Sequence, residues 1–166
     1  MLRLALSIAF VIAVIAIVSP KLETLALSSP GRDEQISAVQ SSNYKSLTLE
    51  ADRNGHFRVE AVINGRRVPM LADTGATSVV LNAEDARKIG LRPHDEDFTV
   101  RMNTANGVSR AAPVVLKDIR IGSIRVKNIQ ALVAEPGVLD INLLGMTFIG
   151  ALNRFDMKGD TLTLVQ

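Results

Sequence analysis

Three Asn-Gly pairs, at 54–55, 64–65 and 106–107, each stand between short runs of alternating apolar and polar residues. Asn and Gly adopt the left-handed backbone that a two-residue hairpin turn requires, and the alternation turns one face of each flanking run toward a core. The runs around them are Leu47–Asp52, Phe57–Ile63 and Arg67–Ala72, followed by a short apolar strand in Ser78-Val79-Val80-Leu81. Residues 82–90, NAEDARKIG, form the one clear helix. Asn82 is its N-cap, Glu84 and Asp85 place negative charge in its first turn, and Gly90 stops it. Strand patterns resume at Phe98–Met102, Val108–Leu116, Ile119–Ile121, Ile124–Val126 and Ala131–Ala134. A last hairpin, RFDMKGDTLTLV, turns at Lys158-Gly159-Asp160. Many short strands, frequent turns and one helix predict a mainly β domain over residues 47–166, built as a small closed or partly closed barrel.

Composition narrows the chemistry. Aromatic residues make up 4% of the chain and Trp is absent, so the core must rest on Val, Ile, Leu and Ala. Without cysteine there is no disulfide, thiolate nucleophile or Cys-ligated zinc. The two histidines, His56 and His94, lie apart in turn and loop sequence, so no metal site and no cofactor is expected. The net charge of +2 is spread along the chain with no block of one sign. That argues against a nucleic-acid footprint, which concentrates Lys and Arg on one face.

The N-terminus is of a different kind. Arg3 precedes an apolar run from Leu4 to Val18, closed by Pro20 and Lys21. The run is short against the roughly 20 residues that cross a bilayer and long for a signal peptide. Residues 1–22 are read as an uncleaved membrane anchor with Arg3 on the cytoplasmic side. A cleaved signal is the alternative, and either reading exports the domain. Residues 23–46, polar and low in large apolar side chains, read as a flexible linker. The expected location is the cell envelope, with the folded domain in the periplasm.

Between apolar runs stands Asp73, followed by Thr74-Gly75-Ala76-Thr77. Burying a carboxylate there is costly unless it is paired or does chemistry. Asp-Thr-Gly also suits an ordinary tight bend. Three further features accompany the triplet. An apolar strand enters it, a turn-tipped hairpin at Thr104-Ala105-Asn106-Gly107 follows some thirty residues later, and Leu143-Leu144-Gly145 comes after that. In order and spacing these segments resemble the retropepsin-like aspartic proteases, over roughly Leu47 to Gln166. The stretches DTGATSVVL and LLGMTFI are most similar to the bacterial, membrane-anchored, single-domain members.

The resemblance implies a closed barrel with one or two short helices and an aspartic endopeptidase activity. In that chemistry two carboxylates share one proton across a bound water; about 3 Å apart, they cannot both ionise readily. This chain offers one such aspartate, so the second must come from another copy in a C2 homodimer. The resemblance further implies that Thr74 bonds across the dyad, that Gly75 lets substrate approach, and that Ala76 keeps the cleft floor small. It makes 104–107 the flap over a peptide or protein substrate, and Gly145 the point of tight packing behind the active loop. Met146 departs from the viral pattern, which has arginine there, so the viral dimer contact has no counterpart at this position. A non-catalytic peptide-binding module on the same barrel is the rival reading.

Overall fold

Alternation along Phe57–Ile63 and Arg66–Ala72, with Asn64 at φ 49° and Gly65 at φ 85° between them, folds these two runs back as an antiparallel pair. The computed structural model describes residues 44–104 and 107–166. Its strands are β1 (Ser46–Glu50), β2 (Phe57–Ile63), β3 (Arg66–Ala72), β4 (Val79–Leu81), β5 (Val100–Thr104), β6 (Gly107–Ile121), β7 (Ile124–Ala134), β8 (Asn142–Leu144), β9 (Arg154–Lys158) and β10 (Thr161–Val165). Helix α1 is Ala83–Lys88 and helix α2 is Met146–Ile149. One sheet runs β2-β3-β8-β4-β7-β6-β5, and a further pairing of β2 with β6 closes six of its strands into a barrel. The second sheet, β1-β10-β9, joins the beginning and end of the domain.

Most pairings are antiparallel, but β3–β8 and β4–β7 are parallel. The first sets Met70, Leu71 and Ala72 beside Asn142, Leu143 and Leu144. Two segments some seventy residues apart thus end side by side at one mouth of the barrel. Inside it, Met70, Leu81, Leu116, Ile119, Leu144 and Phe148 are fully buried. Helix α1 forms as read: the Asn82 side chain accepts from the Asp85 amide, and Gly90 takes φ 88° after the last turn.

Several boundaries differ from the sequence reading. Val108–Leu116 and Ile119–Ile121 belong to one fifteen-residue strand, β6, because β7 keeps one register with it from Ala111 to Ile121 while its other edge passes from β5 to β2. Likewise Ile124–Val126 and Ala131–Ala134 are the ends of β7, interrupted locally by Asn128 at φ 56°. Phe98 is a buried plug after a 3-10 turn, Asp95–Asp97, and the strand begins only at Val100. The folded unit starts ahead of Leu47, since Lys45 and Gln166 exchange backbone hydrogen bonds of 2.9 and 2.8 Å. Among the described residues no helix is long and apolar enough to cross a membrane. The anchor read at 1–22 and residues 23–43 of the linker lie outside the described residues, as do Ala105 and Asn106 of the hairpin tip.

Candidate active site

Strand β3 delivers Asp73 to the barrel mouth, and the chain then turns back on itself before β4. The Asp73 amide donates to the Leu144 carbonyl at 3.2 Å, which ties the aspartate to β8. Its Oδ1 accepts from the Gly75 amide at 2.8 Å, and its carbonyl accepts from Ala76 at 3.3 Å. One carboxylate oxygen is thus held by the loop and the other is left for solvent or a ligand. A Cβ at Gly75 would lie 3.1 Å from the held oxygen, so any larger residue presses on the carboxylate.

Asp73 is half-buried, where the apolar runs on either side suggested full burial. The physical reason is its place at the end of β3, where the barrel stops and one side of the loop has no neighbour. Thr74, Gly75 and Thr77 are exposed and Ala76 is half-buried. The Thr74 hydroxyl has no hydrogen-bond partner among the described residues of its own chain.

Beneath the loop lies Gly145. A Cβ there would fall 2.2 Å from the Ser78 carbonyl oxygen and 2.7 Å from that of Ala76, distances no side chain tolerates. The Met146 amide donates to the Ala76 carbonyl at 2.9 Å, and the Thr147 hydroxyl accepts from the Val79 amide at the same distance. The first turn of α2 therefore clamps the middle and the far end of the aspartate loop, while Leu144 of β8 holds its beginning. Thr147 was not singled out in the sequence; a Thr two residues past Leu-Leu-Gly carries no local signal of that contact. Leu144 is buried, whereas Leu143 is half-buried and turns to the cleft.

A cleft of about 510 Å³ runs from Gly75–Ser78 beneath β5, walled by Val80, Val100, Met102, Leu132 and Leu143. The β5–β6 hairpin overhangs it. Thr104 pairs with Gly107, and the Thr104 hydroxyl donates to the Gly107 carbonyl at 2.9 Å. Gly107 takes φ 112°, a conformation glycine adopts without strain. The root of the hairpin is held by Glu135, whose carboxylate accepts from the Arg110 amide and pairs with the Arg110 guanidinium at 2.7 Å. A second hollow, about 370 Å³, opens on the other side of Asp73 and Thr74, between His56 and Met157.

Behind the site sits a polar hub that the sequence did not announce. Asn142 is 1% exposed, and each of its polar atoms is bonded: its Nδ2 donates to the Pro69 carbonyl at 2.8 Å and to Asp85 at 2.6 Å, and its Oδ1 accepts from the Asn82 amide at 2.9 Å. It joins β3, β8 and the N-terminus of α1. Burial pushes the Asp85 carboxyl up, but hydrogen bonds from Asn142, Lys88 and Asn82 outweigh it and hold the group below its usual range. A lowered folded-state value means stability that is complete above the ordinary carboxylate range and is lost as pH falls through it. Wild type is therefore expected to outlast Asp85→Asn in thermal melts at about pH 6, and the gap is expected to shrink as pH falls below the ordinary carboxylate range. A gap that stays constant with pH would sink this account. Asn142→Leu, which removes the bonds to the Pro69 carbonyl, the Asn82 amide and one of the three that hold Asp85, is expected to cost about 2–3 kcal/mol.

A six-stranded barrel with an aspartate loop seated on a glycine from a neighbouring parallel strand is the retropepsin-like fold. A family model described as aspartyl protease matches residues 59–148, from within β2 to α2, and so takes in both the aspartate loop and the glycine beneath it. The chain belongs to this family. Its sequence is 44% identical over 135 residues to an uncharacterised protein in the cobV 5′ region of a Sinorhizobium species. It is 35% identical over 124 residues to an uncharacterised protein of Rickettsia prowazekii. These alignments take in 81% and 75% of this chain but 57% and 53% of the relatives, so the chain spans little more than half the length of the curated proteins it matches. Among solved structures it is similar to a retropepsin-like aspartic protease from Rickettsia conorii. That match has 34% identity and a TM-score of 0.66, and covers 74% of this chain and 91% of the other.

Proposed function

We propose that this chain is an aspartic endopeptidase whose active site is completed by a second copy of itself. The observation that carries the reading is the half-buried Asp73 carboxylate, fixed through one oxygen by the loop whose next residues, Gly75–Ser78, floor the cleft beneath β5. A single such group lacks the second carboxylate that this chemistry needs, and the open hollow beside Asp73 is where one could approach. In the assembled dyad, one carboxylate takes a proton from the bound water as its oxygen attacks the peptide carbonyl carbon. The protonated partner gives its proton to the carbonyl oxygen; on collapse the first carboxyl passes the water's proton to the leaving nitrogen as the C–N bond breaks, and the second takes a proton back from the tetrahedral hydroxyl.

The other roles follow from position. Thr74, exposed and without a hydrogen-bond partner among the described residues of its own chain, bonds across to the second loop. Gly75 and Ala76 keep the floor low, and Thr104–Gly107 closes over an extended peptide whose apolar side chains enter the cleft. The apolar run from Leu4 to Val18 supports an anchor that holds the domain at the cell envelope, outside the cytoplasm.

The test is the concentration dependence of cleavage. With an unfolded protein as substrate, the rate from the purified full-length chain is expected to rise with the square of its concentration at the dilute end. It should become proportional once dimers dominate. A strictly monomeric chain whose rate stays proportional throughout would overturn the shared dyad, and a dimer that binds peptide without cutting it would favour the binding-module reading.

A further inference from the structure

We propose that the end of the barrel opposite Asp73 is a docking face for anionic phospholipid, and that the domain lies against its membrane through it. This rests on the reading of an N-terminal anchor and not on the role of Asp73.

Positive charge is spread along the sequence, but the pairing of β2 with β6 and of β6 with β7 collects part of it at one end of the barrel. There Ile63 pairs with Ile119 and Val62 with Arg120, and Arg120 stands opposite Arg125 across the β6–β7 hairpin. Arg66, Lys117, Arg120, Arg125 and Lys127 are all exposed. One carboxylate, Asp118, lies among them. It pairs with Arg125 and, although opposite Lys127 in the register, makes no ion pair with it. The neighbouring Arg67 is neutralised by Glu60. Among the described residues Arg66, Lys117, Arg120 and Lys127 have no ion-pair partner. Five cations around one carboxylate form a large local excess in a chain whose net charge is +2.

Like charges directly opposite each other destabilise a strand pair, so the Arg120–Arg125 arrangement has a cost that a bound anion relieves. Between the two hairpins lies a hollow of about 480 Å³, lined by Asn64, Gly65, Lys117, Asp118, Arg120 and Arg125. It is roomy enough for a phosphate headgroup.

The path of the chain identifies the anion. Lys45 exchanges backbone hydrogen bonds with Gln166, and the Gln166 side chain accepts from the Arg125 amide at 3.0 Å and donates to the Arg125 carbonyl at 2.5 Å. Leu47 packs at the turn of the same hairpin, 3.6 Å from where a Cβ on Gly122 would stand. The chain that follows the apolar run Leu4–Val18 therefore enters the domain beside its most cationic hairpin. An anchor in a bilayer keeps that hairpin near headgroups, where each Lys or Arg strengthens attraction to an anionic surface about fivefold. A nucleic acid or an acidic peptide has no such tie to the point of chain entry. From this face β3 runs seven residues, Arg66–Ala72, to the side of Asp73, a distance of about 23 Å. Docking in this way turns the cleft away from lipid, toward chains in the surrounding compartment.

The chain has no cysteine, so single introduced ones report on each end of the barrel. Ser123→Cys carries a fluorophore at the β6–β7 turn, and Val108→Cys carries one at the other end of β6. Each full-length chain is reconstituted into vesicles of phosphatidylcholine, alone or mixed with phosphatidylglycerol, and energy transfer to a headgroup-linked acceptor is read. With phosphatidylglycerol present, transfer from the Ser123 site is expected to rise about twofold or more, and transfer from the Val108 site to stay level or fall. High salt should abolish the rise. So should Arg120→Glu with Lys117→Gln, without lowering the melting temperature, because the new carboxylate stands opposite Arg125. Equal transfer from the Ser123 site in both kinds of vesicle, or an equal rise at both sites, overturns the proposal; the anchor stands if the chain still floats with neutral vesicles. A chain that floats with neither kind removes anchor and docking together. A chain that floats only with the anionic kind, and no longer does so after Arg120→Glu with Lys117→Gln, removes the anchor and keeps the docking face.

Discussion

Asp73→Asn is expected to reduce peptide hydrolysis by roughly 10³-fold or more, with the fold unchanged. The amide keeps the oxygen that accepts from the Gly75 amide at 2.8 Å, so the loop retains its turn. Nothing in the barrel needs the charge: Asp73 is half-buried, and no ion pair involves it among the described residues. What the variant loses is the capacity to take up and give back a proton at the free oxygen, which is the whole of its proposed chemistry. Thermal melts and dimerisation beside the cleavage assay separate this from unfolding. Should the variant keep more than about a tenth of wild-type activity at an unchanged melting temperature, Asp73 is not the catalytic group.

Gly145→Ala is expected to be the most damaging Gly→Ala change among the described residues. Its Cβ would stand 2.2 Å from the Ser78 carbonyl oxygen and 2.6 Å from the carbonyl carbon, both backbone atoms that no rotamer change can move aside. Relief requires β8 and the aspartate loop to separate, which would break the Asp73–Leu144 and Met146–Ala76 hydrogen bonds that hold the loop in place. Overpacking against backbone at a fully buried crossing is expected to cost about 3 kcal/mol or more, a fall of roughly 12 °C or more in Tm. Activity is lost with it, even in the fraction that stays folded, because the loop that carries Asp73 is the part that moves. Gly150→Ala, at the end of α2 with a Cβ 2.8 Å from the Met146 carbonyl oxygen, provides a milder backbone clash outside the aspartate loop for comparison. A Gly145→Ala chain that melts within about 2 °C of wild type would refute the seating of the loop on β8.

Parts of this protein were legible one residue at a time because their causes are local. Asn64-Gly65 takes positive φ at both positions and sets the β2–β3 register, so the limits of β2 agree with the alternation read from Phe57 to Ile63. Asn82 caps α1 and Gly90 ends it through contacts within a few residues. The Asp-Thr-Gly triplet was visible for the same reason: the bond from the Gly75 amide to the Asp73 carboxylate spans two positions.

What pairing decides was less visible. Lys117-Asp118 read as a break between two strands, yet β6 passes straight through it, since β7 pairs alongside without interruption to the register on either side. Asn142 gave no signal because its three partners come from β3 and α1, and only the parallel β3–β8 crossing assembles them. The exposure of Asp73 and of β9 depends likewise on where the barrel ends, not on the apolar residues nearby. By itself the sequence determined the turns, the helix caps and the aspartate triplet, because each rests on backbone conformation and hydrogen bonds within a few residues. Tertiary structure alone decided which carbonyls crowd Gly145 and that Asp73 opens on an unfilled side. Those are facts about which strand lies next to which, and strand order is set by packing among segments far apart in the chain.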